Sequence, residues 1–171
     1  GVLSGHADRP RGEQAMEAVH ERLGTEYGLM LCSPPYEDIL CSEIRSVLFN
    51  KGSKENAGIF NHTQGWAVMA ETLLGHGDRA LDTFRRSMPA ALNDRAEIRG
   101  IEPYVYCQYT HSKYSPRHGA GRVPWLTGAA SWAYYAATQY ILGIRPDHQG
   151  LCIDPCIPAS WNGFTATRRF R

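Results

Sequence analysis

No apolar run in the 171 residues is long enough to span a membrane, and the amino terminus lacks the charged-then-apolar pattern of a signal peptide. Charge of one sign is missing too: 18 Lys and Arg against 17 Asp and Glu leave a formal charge of +1. The only local excess is the short tail Arg168-Arg169-Phe170-Arg171. With no basic block or stripe, neither nucleic acid nor a membrane surface is an expected partner. Cysteines are few, five and irregularly spaced, and read as free thiols of a reducing, cytoplasmic compartment. Cys152 and Cys156 bracket Ile-Asp-Pro without a second pair to complete a metal site. The seven histidines are scattered. HExxH, a GxSxG elbow and a Gly-rich phosphate loop are all missing, so no metal and no cofactor is expected.

What is present is helical spacing interrupted by polar, aromatic stretches. Residues 12–23 place Ala15, Met16, Val19 and Leu23 on one face, with Gly24 as a stop. Residues 33–53 carry no readable pattern. Residues 63–74 form the clearest predicted helix, with Trp66, Met69, Ala70 and Leu73 buried. Gly75-His76-Gly77 turns the chain into a shorter helix carrying Leu81 and Phe84, with Asp78 as its cap. Residues 88–124 have little periodicity and much chemistry, as functional loops do. Residues 127–142 form the next predicted helix, and Leu151-Cys152-Ile153 and residues 164–170 look extended. The predicted fold is mainly α, a partial helical toroid with long loops. Residues 1–150 are assigned to the toroid and 151–171 to the start of an extended carboxyl-terminal segment. Because the helices count to only part of a ring, the chain is read as a fragment.

Three strings carry the chemistry. Trp125-Leu126-Thr127-Gly128-Ala129-Ala130-Ser131-Trp132 puts a hydroxyl and a glycine at a helix start, where unpaired N–H groups favour an anion; a plain N-cap is the competing reading. Lys54-Glu55-Asn56, followed by Asn61-His62-Thr63, brings together a cation, a carboxylate, an amide and an imidazole before another helix. Sugar hydroxyls need such donors and acceptors. The competing reading there has Asn61 and Thr63 capping the helix and His62 structural. In Glu102-Pro103-Tyr104-Val105-Tyr106-Cys107-Gln108, alternation would put Glu102, Tyr104, Tyr106 and Gln108 on one face, unless Glu102 simply pairs with Arg99.

The strings KENAGIFNHTQGW, IEPYVYCQ, WLTGAASW, YILGIRP and GLCIDPCIPASW closely resemble the inverting disaccharide phosphorylases of glycoside hydrolase family 94. The resemblance runs from about the first helix to the end of the chain. It implies an (α/α)6 barrel, of which this chain would be the carboxyl-terminal part. It also implies cleavage of a β-glucosidic bond by inorganic phosphate to give α-glucose 1-phosphate and a free sugar, with cellobiose as the first-choice substrate. One carboxylic acid protonates the leaving oxygen, and phosphate replaces the water of an inverting glycosidase. By resemblance, His62, Thr127 and Gly128 look like phosphate-binding elements, and Lys54 and Glu55 look like acceptor-sugar ligands. Gln108 looks like a contact near the reacting sugar, with Glu102, Tyr104 and Tyr106 as weaker candidates beside it.

One part of the family's pattern is missing. The family's general-acid aspartate lies upstream of these motifs in an aromatic setting, and neither Asp8, Glu13, Glu26, Glu37 nor Asp38 matches it. The family's upstream phosphate-holding arginine is likewise unmatched, so the chain alone is expected to be inactive. A sugar and phosphate are the expected partners, and the parent could be a homodimer. Two other readings stand beside this one: a non-catalytic carbohydrate-binding helical module, and the barrel of a β-glucan synthase relative.

Overall fold

The computed structural model describes residues 1–167. Helix α1 (Arg9–Leu23) begins three residues earlier than its apolar spacing suggests, because Asp8 accepts the Arg11 N–H at 2.9 Å and Pro10 suits a first turn. It buries Gly12 and Met16, and Met16 packs on Ala70 and Leu74. Two short strands, β1 (Gly24–Thr25) and β2 (Gly28–Leu29), pair antiparallel directly after it. An irregular stretch with one 3-10 turn at Arg45–Leu48 leads to β3 (Ile59–Phe60), which runs straight into α2 (Asn61–Leu73). Gly75, at φ 84, allows the tight reversal into α3 (Gly77–Ser87). The helical hairpin is as predicted, but Asp78 does not cap it. Its carboxylate instead accepts the Ala159 N–H at 3.2 Å.

The predicted long loop is structured. It holds a 3-10 stretch (Pro89–Arg95), the single turn α4 (Ala96–Arg99), and strands β4 (Cys107–Thr110) and β5 (Gly121–Pro124). Helix α5 (Ala129–Tyr135) continues as π-helix through Ala136–Ile141, so the expected helix is present but changes pitch halfway. A hairpin of β6 (Ile144–Asp147) and β7 (Gly150–Ile153) follows, and Asp154 N–H returns to Gly143 O at 2.9 Å. Residues 164–167 are not in a strand, and the rest of the expected extended run, 168–170, lies outside the described residues. The architecture is therefore mixed, helices with small antiparallel sheets, rather than mainly α. Strands of two to four residues are too short to print an alternation in the sequence.

Helices α2 and α5 lie side by side and point the same way. Gly65 meets Trp132, and Met69 shares a groove with Trp132 and Tyr135. Farther along, Thr72 and Leu73 line a cleft with Tyr140. Val68 and Met69 of α2, Ala80 of α3, and Ala136 and Ile141 of the π-helical segment form one core cluster. Of the face predicted to be buried on α2, Met69 and Ala70 are inside, whereas Trp66 is 41% and Leu73 48% exposed. Val68 and Gln64 take their places in the interior.

The carboxyl-terminal half of α2 is tied to α1 by charge. Glu71, wholly buried, receives His20 Nε2 and His76 Nδ1 at 2.6 Å each, and His76 Nε2 lies 2.9 Å from Glu13. Burial alone would push the Glu71 carboxyl up. The two imidazole hydrogen bonds and their charge instead hold it below the ordinary carboxylate range.

Candidate functional site

The site is organised by the three-stranded sheet β3-β4-β5. Its registers pair Ile59 with Thr110 and Phe60 with Tyr109, then Cys107 with Pro124 and Tyr109 with Arg122. Both strands that flank β4 leave the sheet at its Cys107 end. β3 becomes α2 there, and β5 runs through Trp125–Gly128 into α5. Gln108 faces Val123 in this register, and one further step of the β3 ladder would face it with Asn61. Parallel helices thus present their amino-terminal ends, and with them His62, Thr127 and Gly128, at the same end of the sheet as Gln108.

His62 sits in the first turn of α2, and its Nδ1 is enclosed without a hydrogen-bond partner. Phe60 and Trp66 hold the ring edge-on, with centroids 4.8 and 6.0 Å away, and Trp66 packs in turn on Trp132 of α5 at 5.7 Å. An enclosed, unpaired imidazole nitrogen is costly unless another group comes to it. The competing caps do not materialise. Thr63 donates its hydroxyl to Phe60 O at 2.9 Å, and Asn61 turns its amide onto β4.

At α5 the capping position is Gly128, one residue later than Thr127. The Thr127 hydroxyl oxygen accepts the Ala129 N–H at 3.1 Å, which leaves its own O–H proton to donate to an acceptor in front of the helix. The approach to this turn is strained: Val123 and Trp125 have φ of 54 and 68, a region that a β-branched residue rarely adopts. Trp125 is held there twice. Its backbone N–H reaches Tyr106 O at 3.2 Å, and its indole N–H reaches a Glu102 carboxylate oxygen at 3.1 Å.

The alternating strip expected from Glu102 to Gln108 does not exist as such. Pro103 and Tyr104 form a turn closed by Val105 N–H to Glu102 O, and Tyr104, at φ 63, projects 71% exposed. Extended pairing begins only near Tyr106. Glu102 is exposed, and its own backbone N–H together with the Trp125 indole holds its carboxyl below the ordinary range. Arg99 does not pair with it but donates to Val105 O at 2.7 Å. Burial pushes the Tyr106 phenol up to about 12, so it stays protonated as a core-edge residue.

Lys54 and Glu55 lie apart from this cluster, beyond the other end of β3. Their loop is folded around Asn56, whose amide bonds Tyr36 O, Phe49 O and Tyr36 N–H at 3.1, 2.8 and 2.7 Å. The loop is anchored to the end of β4 by Ser112 N–H on Gly52 O, and by Ser53 Oγ beside His111 Nδ1, each at 3.0 Å. Lys54 places its ammonium 5.1 Å from the Phe49 ring centroid, and Glu55 is exposed. Burial and the nearby Arg122 and Arg117 hold the His111 imidazole below its ordinary value, with a backbone contact to Gly52 opposing them.

The catalytic-domain model of the glycosyl hydrolase 94 superfamily matches residues 1–143. The chain belongs to this superfamily. It is 47% identical to an N,N'-diacetylchitobiose phosphorylase of Vibrio proteolyticus and 45% identical to one of Vibrio furnissii, over 99% of this chain and 21% of each of those proteins. It is 33% identical to a solabiose phosphorylase of Paenibacillus borealis, over 99% of this chain and 22% of that protein. The chain thus spans about a fifth of the length of the curated relatives it matches. The superfamily's catalytic domain implies that the chain is part of an (α/α)6 barrel. The matched span of this glycosyl hydrolase 94 chain includes all three strands of the organising sheet. The sequence offers Asn61 as a member of a polar string or as a helix cap, and the carbonyl that it reaches, 46 residues away, has no local signal.

Proposed function

We propose that this chain forms the phosphate-side part of an inverting phosphorylase for a β-linked disaccharide. The observation that carries this is the placement of His62, at the start of α2, at the same sheet end as the Thr127–Gly128 turn and Gln108. An anion held there accepts from the imidazole, from the Thr127 hydroxyl and from N–H groups at the start of α5. A phosphate oxygen attacks the anomeric carbon from the face opposite the leaving oxygen. The carbon–oxygen bond to the leaving sugar breaks as a carboxylic acid delivers its proton to that oxygen, and the products are a sugar 1-phosphate and a free sugar. By family resemblance that acid is contributed from upstream of these motifs. Gln108 contacts the reacting sugar, while Lys54 and Glu55 contact the acceptor. Glu102 acts by holding Trp125, and Tyr104 stands at the margin.

For substrate we propose N,N'-diacetylchitobiose, in place of the cellobiose expected from the sequence. Identities of 47% and 45% to phosphorylases of that name, against 33% to the solabiose enzyme, support it. The test is to incubate the full-length enzyme and phosphate with N,N'-diacetylchitobiose or with cellobiose, and to identify the sugar phosphate released. N-acetylglucosamine 1-phosphate from the first, at a much higher kcat/KM than any product of the second, is the expected result. A preference for cellobiose overturns the substrate assignment. Binding of either sugar without phosphate-dependent cleavage overturns the phosphorylase reading in favour of a binding module.

A further inference from the structure

The β3–β4 ladder stops at Phe60 and Tyr109 because the chain turns into α2, yet the next rung is not left open. The side chain of Asn61 makes it. This residue is 6% exposed, and its Nδ2 donates to Cys107 O at 3.0 Å, with Cys107 Sγ at 3.1 Å and Thr110 Oγ1 at 3.4 Å alongside. Its two covalent consequences point in opposite directions. His62 is the next residue along α2, and Gln108 is the residue after the carbonyl that Asn61 holds.

We infer that Asn61 is a positioning residue that fixes the spacing between the phosphate contact His62 and the sugar contact Gln108. This rests on the phosphorylase reading given above. A second amide supplies the contrast. Gln64, 2% exposed, clamps the same first turn from the other side, bonding Leu29 O, Phe60 O and the Leu29 N–H at 2.9, 2.8 and 2.8 Å. Gln64 ties α2 to β2, and its hydrogen bonds among the described residues go to Leu29 and Phe60 rather than to β4. Losing it loosens the helix start without breaking the link to Gln108. Losing the Asn61 amide lets α2 and β4 shift relative to each other. Since an attack geometry tolerates little displacement, the effect falls on turnover and on phosphate together.

A double-mutant cycle in the full-length enzyme tests this. Asn61→Ala is expected to raise the phosphate KM about threefold to fivefold and lower kcat by a similar factor, on the order of tenfold in kcat/KM, the size expected from one lost buried hydrogen bond. In a His62→Ala background the same substitution is expected to change phosphate KM less than twofold, because the group it positions is gone. Gln64→Ala, by contrast, is expected to multiply independently with His62→Ala. Equal factors for Asn61→Ala in both backgrounds overturn the positioning role. A His62→Ala enzyme with unchanged phosphate KM overturns the phosphorylase-site reading itself, and this inference with it. Should Asn61→Ala fail to fold, Asn61→Ser takes its place in the cycle; failure of both marks Asn61 as structural and sinks the proposal.

Discussion

Gly65 of α2 and Trp132 of α5 meet so closely that a methyl group between them would require the helices to give by a few tenths of an ångström. A Cβ on Gly65 would come within 3.1 Å of both the Trp132 Cβ and its carbonyl oxygen. This contact sets how closely the two parallel helices approach, and so how near His62 comes to the Thr127–Gly128 turn.

Gly65→Ala is therefore expected to destabilise the protein by about 1–3 kcal/mol, as overpacking of a tight contact does. Alanine's better helix propensity offsets only about 1 kcal/mol of that. A lower thermal midpoint together with a raised phosphate KM is the expected pair of results. An unchanged midpoint would mean that the helices can separate freely.

His62→Ala removes the enclosed imidazole and is expected to raise phosphate KM tenfold or more in the full-length enzyme, with a much smaller change in the sugar KM. Initial-rate kinetics with phosphate and sugar varied separately will read this directly. Equal changes in both constants would argue that the ring shapes the site without touching the anion.

Acid stability provides a check that is independent of substrate. The Glu71 carboxyl is held low in the folded chain, so its contribution is fully present above its ordinary value of 4.5 and is lost as pH falls below that. The His111 imidazole is also held low, from an ordinary 6.5. It binds its proton more readily in the unfolded chain, so its contribution declines as pH falls below about 6.5. Stability should thus fall in two stages, and His111→Gln should flatten the upper one between pH 7 and 5. Glu71→Ala strands His20 and His76 without their common acceptor, and a loss of about 3–5 kcal/mol is expected by chemical denaturation. A pH profile unmoved by His111→Gln would remove that residue from the account.

Helices α1, α2 and α3 were legible because each carries a periodic apolar face and a glycine or aspartate at an end. The sheet gathers His62, Gln108, Thr127 and Gly128, which come from three separate strings, at one end. What the sequence hid was long-range. Ile59 and Phe60 are only two residues, and nothing local says that they pair with Thr110 and Tyr109, far ahead in the chain. Pro103 prevented the strand that alternation suggested by setting up a turn that puts Tyr104 at positive φ. Asn61 carries the usual sign of a cap, yet its amide was needed elsewhere.

The sheet also limits how small a working piece of this site can be. The strands that lead to His62, Gln108 and the Thr127–Gly128 turn hydrogen-bond in one layer, β3 on β4 on β5. The shortest uninterrupted peptide that contains these residues together with β3 is residues 59–128. A gene split or a circular permutation opened in the exposed turn near Gly100 would have to reassemble β3 on β4 across the break before any anion could be held.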